Sequence, residues 1–160
     1  MALDVVIEFK DKRIKKALDS AVKAQKNLRP FFRNARVIML KDILEHFRKE
    51  EGPKGKWKPL KPSTANKAVT KSGKRRGFRN ILRVEGTRGG LLSTINANAR
   101  FDNNSASIAA VKPYAAIHQF GGKAGRKNSV RIPARPYMWL SNKARQQMLD
   151  FMVKHILGVN

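Results

Sequence analysis

The chain has 160 residues, enough for one domain with a real core and too few for two comfortable ones, and its 41% apolar content is ordinary for a globular protein. It contains no cysteine, which excludes a disulfide framework, a thiolate zinc site and a cysteine nucleophile. Its 35 Lys and Arg against 11 Asp and Glu give a formal charge of +24, an excess most easily understood if the protein sits against nucleic acid or an acidic protein surface.

The N-terminus MALDVVIEFK lacks a basic region leading into an apolar one, and no stretch approaches the ~20 apolar residues of a membrane span. The expectation is synthesis and action in a cytoplasm, with no membrane. Residues 3–9 alternate, Leu3, Val5, Ile7 and Phe9 against Asp4 and Glu8, which predicts a half-buried strand. From about Lys12 the period becomes helical, with Ile14, Ala17, Leu18, Ala21, Val22 and Leu28 on it. Asn27 and Pro30 then interrupt, since proline is accepted in a first helical turn and damages an interior. A second helix comes next, its stripe made by Phe32, Ala35, Met39, Ile43 and Phe47 and widened by Leu40 and Leu44, ending before Gly52-Pro53.

Charge is spread unevenly along the chain. Residues 1–51 carry 13 basic and 8 acidic side chains, the mixed pattern of solvated helix faces. Residues 52–91 carry 12 basic side chains with Glu85 as the lone acid, in a stretch rich in Gly and Pro. Such a stretch buries little apolar surface, and 52–91 is expected to be a long basic excursion, mobile until a partner orders it. Beyond it, Ile95, Ala97, Ala99 and Phe101 alternate with polar residues, Asp102-Asn103-Asn104 is turn chemistry, and Ala106, Ile108 and Ala110 alternate again, which predicts a β-hairpin. Pro113 to Phe120 suits a helical turn stopped by Gly121-Gly122. Arg131 to Leu140 reads as an extended segment broken by Pro133 and Pro136, hence an edge or partly irregular strand. Ser141 is placed to cap a last helix with Ala144, Met148, Met152 and Ile156 on one face. The sum is a single α+β domain over 1–160: an N-terminal strand and two helices, an antiparallel sheet and a C-terminal helix, with the long basic loop.

Catalytic patterns are sparse. His118-Gln119 has no second His at ligand spacing and no Asp, Glu or Ser cluster around it, so a structural role is favoured over a catalytic one. His46 and His155 lie in predicted helices near apolar neighbours and read as ordinary helix residues. There is no P-loop, dinucleotide fingerprint or zincin pattern, and acidic residues for metal binding or acid–base work are scattered. No enzyme, cofactor or metal site is expected.

The stretches with most information are Trp57-Lys58-Pro59-Leu60 with Thr64 after it, the run Glu85 to Ile95, then YAAIHQFGG at Tyr114–Gly122 and IPARPYMWLS at Ile132–Ser141. In this order, over roughly residues 55–157, they resemble the phage virion morphogenesis family of tail-completion proteins. The run RVEGTRGGLLSTI departs from the family's "LxxTGxLxxSI" pattern by an added residue before Leu91-Leu92. The resemblance implies a structural virion protein of a tailed bacteriophage: a tail-completion or terminator component at the head-tail neck, assembled in the host cytoplasm, forming a ring with its own copies and meeting tail-tube and connector proteins. A sequence-independent nucleic-acid-binding protein of ribosomal or packaging type is the alternative, supported by charge and weakened by the absence of a binding motif.

Candidate interface residues on this reading are Trp57, Pro59, Leu60, Tyr114, His118, Gln119, Phe120, Arg135 and Tyr137. Trp57 is either packed on its own core or docked on a neighbouring subunit. Arg135, held between two prolines, suits an internal or intersubunit pairing with a carboxylate or carbonyl cluster better than a phosphate site. The basic run Lys71, Lys74, Arg75, Arg76 and Arg79 is open to three readings: a solvated loop, a contact with an acidic neighbour, or non-specific contact with genomic DNA.

Overall fold

A computed structural model describes residues 5–6, 11–23, 27–62, 82 and 90–157. The first helix, α1 (Lys12–Lys23), starts where the Asp11 carboxylate accepts the Arg13 backbone N–H, satisfying one of the amides a first turn leaves unpaired. The longest helix, α2 (Arg29–Lys49), begins in the same way: Asn27 Oδ1 accepts the Arg29 N–H, and Pro30 stands in the first turn where its missing donor costs nothing. It ends when Glu50 turns left-handed (φ 52°) and returns its N–H to the His46 carbonyl.

The predicted stripe of α2 is buried throughout, and Phe31 and His46 join it. Leu40 is half-buried and Leu44 exposed, so the stripe is narrower on that side than expected; Val22 of α1, 62% exposed, likewise faces out while its neighbour Ala21 is fully covered. Helix α2 packs against the C-terminal helix α5 (Asn142–Leu157) and against the hairpin strands β4 (Ala99–Phe101) and β5 (Ala106–Ala110), and α1 packs on α5. Strand β1 (Val5–Val6) completes an antiparallel sheet in the order β1-β5-β4, with Val5 opposite Ala110 and Ala99 opposite Ile108. Ile108 and Ala110, two apart on β5, are both buried, as period-2 alternation requires. The turn of this hairpin is closed by Asp102, whose carboxylate accepts the N–H groups of Asn104 and Ser105 and the Ser105 hydroxyl. Asp102 is accordingly held below its ordinary pKa, chiefly by the Asn104 N–H.

Two expectations are corrected and a third is made specific. Ile95 and Ala97 are helical, not strand: they belong to α3 (Leu91–Ala97), in which Leu91 and Ile95, four apart, are buried together, and the strand begins only at Ala99. The start of the supposed excursion is part of the body: Glu51–Gly52 (β2) and Gly55–Lys56 (β3) form a small hairpin, and hydrogen bonds from Trp57 and Arg135 tie the residues after it to the segment around Pro136. The extended segment after Arg131 is a strand only at Val130–Ile132 (β7), which pairs with an unforeseen partner, β6 (Gly122–Ala124), across a 3₁₀ turn at Arg126–Asn128. Thr64, Lys71, Lys74, Arg75, Arg76 and Arg79 lie outside the described residues. Among the described residues no helix is long and apolar enough to cross a membrane.

Candidate assembly site

The two motif stretches lie against each other at one end of α2. The short helix α4 (Ala115–Phe120) brings Gln119 into the interior, 6% exposed, where its amide does the work of a strand partner. Its Oε1 accepts the N–H groups of Tyr137 and Met138, both at 3.0 Å, and its Nε2 donates to the Met138 carbonyl at 3.2 Å. The proline-broken segment 133–140 belongs to no sheet and needs such partners for its buried backbone. Two further bonds run between the same stretches: Arg135 N–H to the His118 carbonyl, and the Tyr137 hydroxyl to the Ala115 carbonyl. Tyr137 is fully buried and its phenol pKa is pushed well up by loss of solvent.

The exit from α4 is steric as well as conformational. Gly121 has φ +75°, and a Cβ there would lie 2.8 Å from the Ala134 backbone nitrogen, so only glycine lets the two stretches approach this closely.

From the other side the Trp57–Leu60 segment clasps the same proline run. Trp57, 6% exposed, meets Phe47 edge-on and donates its indole N–H to the Pro136 carbonyl at 2.9 Å. Arg135 reaches across in return: Nε donates to the Lys58 carbonyl and Nη2 to that of Pro59. A planar guanidinium spans two neighbouring carbonyls in a way a point-like ammonium does not. Burial of Arg135 lowers its pKa, and burial followed by the Arg135 charge lowers that of His118.

Helix α2 supplies the third wall. His46 stacks on Trp139, ring centroids 4.1 Å apart and planes 10° from parallel, and its Nδ1 lies 3.1 Å from the Tyr137 carbonyl. Four residues earlier, Asp42 accepts both the Ser141 N–H (2.8 Å) and the Ser141 hydroxyl (2.7 Å), while Ser141 Oγ accepts the Ala144 N–H as the cap of α5. Ala144, Met148 and Met152 are buried along the predicted face.

Of the candidate interface residues, the structure therefore gathers Trp57, Gln119, Arg135 and Tyr137 inside one chain, each hydrogen-bonded there to main-chain groups. His118 and Leu60 are half-buried; Pro59 is exposed, as are Tyr114 (41%) and Phe120 (67%), with Tyr114 edge-on to His118. Sequence reasoning missed His46 and Asp42 as members of the clasp. Their four-residue spacing on the buried side of α2 was a signal, but only their distant partners Trp139 and Ser141 give it meaning. Among the described residues no group of three or more His, Asp or Glu is arranged to hold a metal ion.

Residues 9–157 match the model of the phage virion morphogenesis family, a span that begins well before the recognisable motifs. The chain is also 31% identical over 137 residues to the Mu-like prophage FluMu G protein 2 of Haemophilus influenzae, covering 86% of this chain and 84% of that protein. No solved structure matches it.

Proposed function

The chain belongs to the phage virion morphogenesis family, and from that premise we propose that it is a structural tail-completion component acting at the head-proximal end of the tail. The observation that carries this reading is the clasp: the stretches Tyr114–Gly122 and Ile132–Ser141 are bound into one rigid unit by Gln119, Arg135 and Tyr137. The unit leaves Tyr114 and Phe120 outward. A rigid element with exposed aromatics is suited to docking, because little is lost on ordering it. Copies joined head to tail through a heterologous interface close into a ring, which matches the symmetry of a tail tube and stops its growth. The basic side chains, the Lys71–Arg79 run among them, steer the ring onto acidic neighbours at the junction.

The rival reading, sequence-independent nucleic-acid binding, draws on the net charge of +24. Imaging of intact particles separates the two. The expected result is density for a closed ring of this chain between head and tail; its absence from finished particles, or a position only on packaged DNA, overturns the proposal.

A further inference from the structure

We propose that the open groove between the Lys58–Pro62 segment and the β6–β7 hairpin is a docking site for an acidic, apolar segment of a different protein. The groove is lined by apolar side chains that a lone folded chain gains nothing by showing to water: Phe120 is 67% exposed and Val130 46%, with Leu60 and Ile132 beside them. Lys58, Lys61, Lys123 and Arg131 also line it, and among the described residues no acidic one does.

A second feature points the same way. Lys123 and Arg131 are direct cross-strand partners in the β6–β7 pair, and like charges placed opposite each other weaken a hairpin. Neither is in an ion pair among the described residues. A carboxylate arriving between them converts a repulsion into two attractions, while an apolar side chain beside it covers Phe120.

The sign of the charge selects the occupant. Between Pro62 and Leu91 the sequence has Glu85 as its lone acid, so it does not offer the alternating carboxylates that the rim calls for. The run that does combine carboxylates with alternating apolar residues, Leu3 to Phe9, has Val5–Val6 paired in its own sheet, which argues against a second copy as the occupant. Nucleic acid satisfies the cations but not the apolar lining, since Phe120 is a single ring and stacking recognition uses several. A partner segment that alternates Glu or Asp with Leu or Val satisfies both.

This inference takes its setting from the assembly reading, but its test needs no particle, so the two fail separately. The full chain is titrated, by fluorescence anisotropy at physiological salt, against a labelled twelve-residue peptide alternating Glu and Val. The comparison probes are a Glu-Ser peptide of equal charge, a twelve-nucleotide single strand and a twelve-base-pair duplex. The expected result is that the Glu-Val peptide binds at least tenfold more tightly than the Glu-Ser peptide. Phe120→Ser removes that advantage, and Lys123→Glu with Arg131→Glu weakens binding at least tenfold. These side chains are exposed, so the variants keep the wild-type fold, verified by circular dichroism. Equal affinity for the two peptides, indifference to Phe120→Ser, or displacement of the Glu-Val peptide by the oligonucleotides at lower concentration overturns the proposal.

Discussion

Replacing Gln119 with Leu tests whether the clasp holds the two motif stretches together. Leucine keeps nearly the same volume and fills the same interior position, so packing changes little while every polar contact of the side chain goes. The Tyr137 and Met138 N–H groups then lose their acceptor and the Met138 carbonyl loses a donor, all in a buried setting. Each buried group left unpaired costs about 1–3 kcal/mol, and with two amides orphaned the total is about 2–6 kcal/mol. For a domain of this size that corresponds to a fall in Tm of roughly 5–20 °C. Chemical denaturation of purified protein, checked by thermal melts, reads the effect, with Phe120→Ser at the exposed neighbouring position as a control expected to stay within about 0.5 kcal/mol. A loss under about 1 kcal/mol for Gln119→Leu refutes the reasoning, because it means segment 133–140 finds its hydrogen-bond partners without the amide.

Ser141→Ala removes the acceptor for the Ala144 N–H and the hydroxyl given to Asp42, and is expected to cost about 1–2 kcal/mol in urea denaturation. Arg135→Lys retains the charge but not the fork that spans the Lys58 and Pro59 carbonyls; a loss of about 1–2 kcal/mol is expected, together with increased hydrogen exchange at Trp57 and its neighbours. Trp57→Phe keeps the ring against Phe47 and deletes the bond to Pro136, for about 1 kcal/mol. His118 gives a pH dependence: its folded pKa lies below the ordinary 6.5, so above that value the ring is neutral in both states and stability is complete. As pH falls below 6.5 the unfolded chain takes up a proton that the folded chain resists, and stability declines. His118→Gln is expected to flatten the change in urea midpoint between about pH 7.5 and 5.

Features set by neighbours in sequence were legible from the residues alone. The central α2 stripe, the Asn27-Pro30 entry, the Asp102 turn and the Ser141 cap each depend on side chains within about four positions, and each stands where expected. What failed was ambiguity of period. Ile95, Ala97, Ala99 and Phe101 alternate, but Leu91 and Ile95 also satisfy a helical repeat, and burial of that pair decided the matter. Strand β6 was invisible because Gly122-Lys123-Ala124 has no strand preference of its own and exists by pairing with Val130–Ile132.

The site was legible in part, for the same reason. For Arg135 the sequence left a carboxylate or a carbonyl cluster, internal or intersubunit, and the structure shows two internal carbonyls; the Trp57 alternatives could not be separated until its indole met Pro136, 79 residues away. The basic excursion was drawn too long: residues 52–60 are as basic as the rest of the stretch to residue 91, yet Trp57 and the two carbonyls taken by Arg135 fix them to the body. Buried candidates such as Gln119 and Tyr137 are taken up by the chain's own packing, whereas Tyr114 and Phe120 stay exposed.

The most direct test of the assembly role is electron microscopy of particles produced from a phage genome in which this chain is truncated by an early stop codon and restored from a plasmid. Without the chain, filled heads and separate tails of irregular length are expected, with joining recovered on complementation. Normal yields of joined particles with tails of uniform length in its absence would contradict the account.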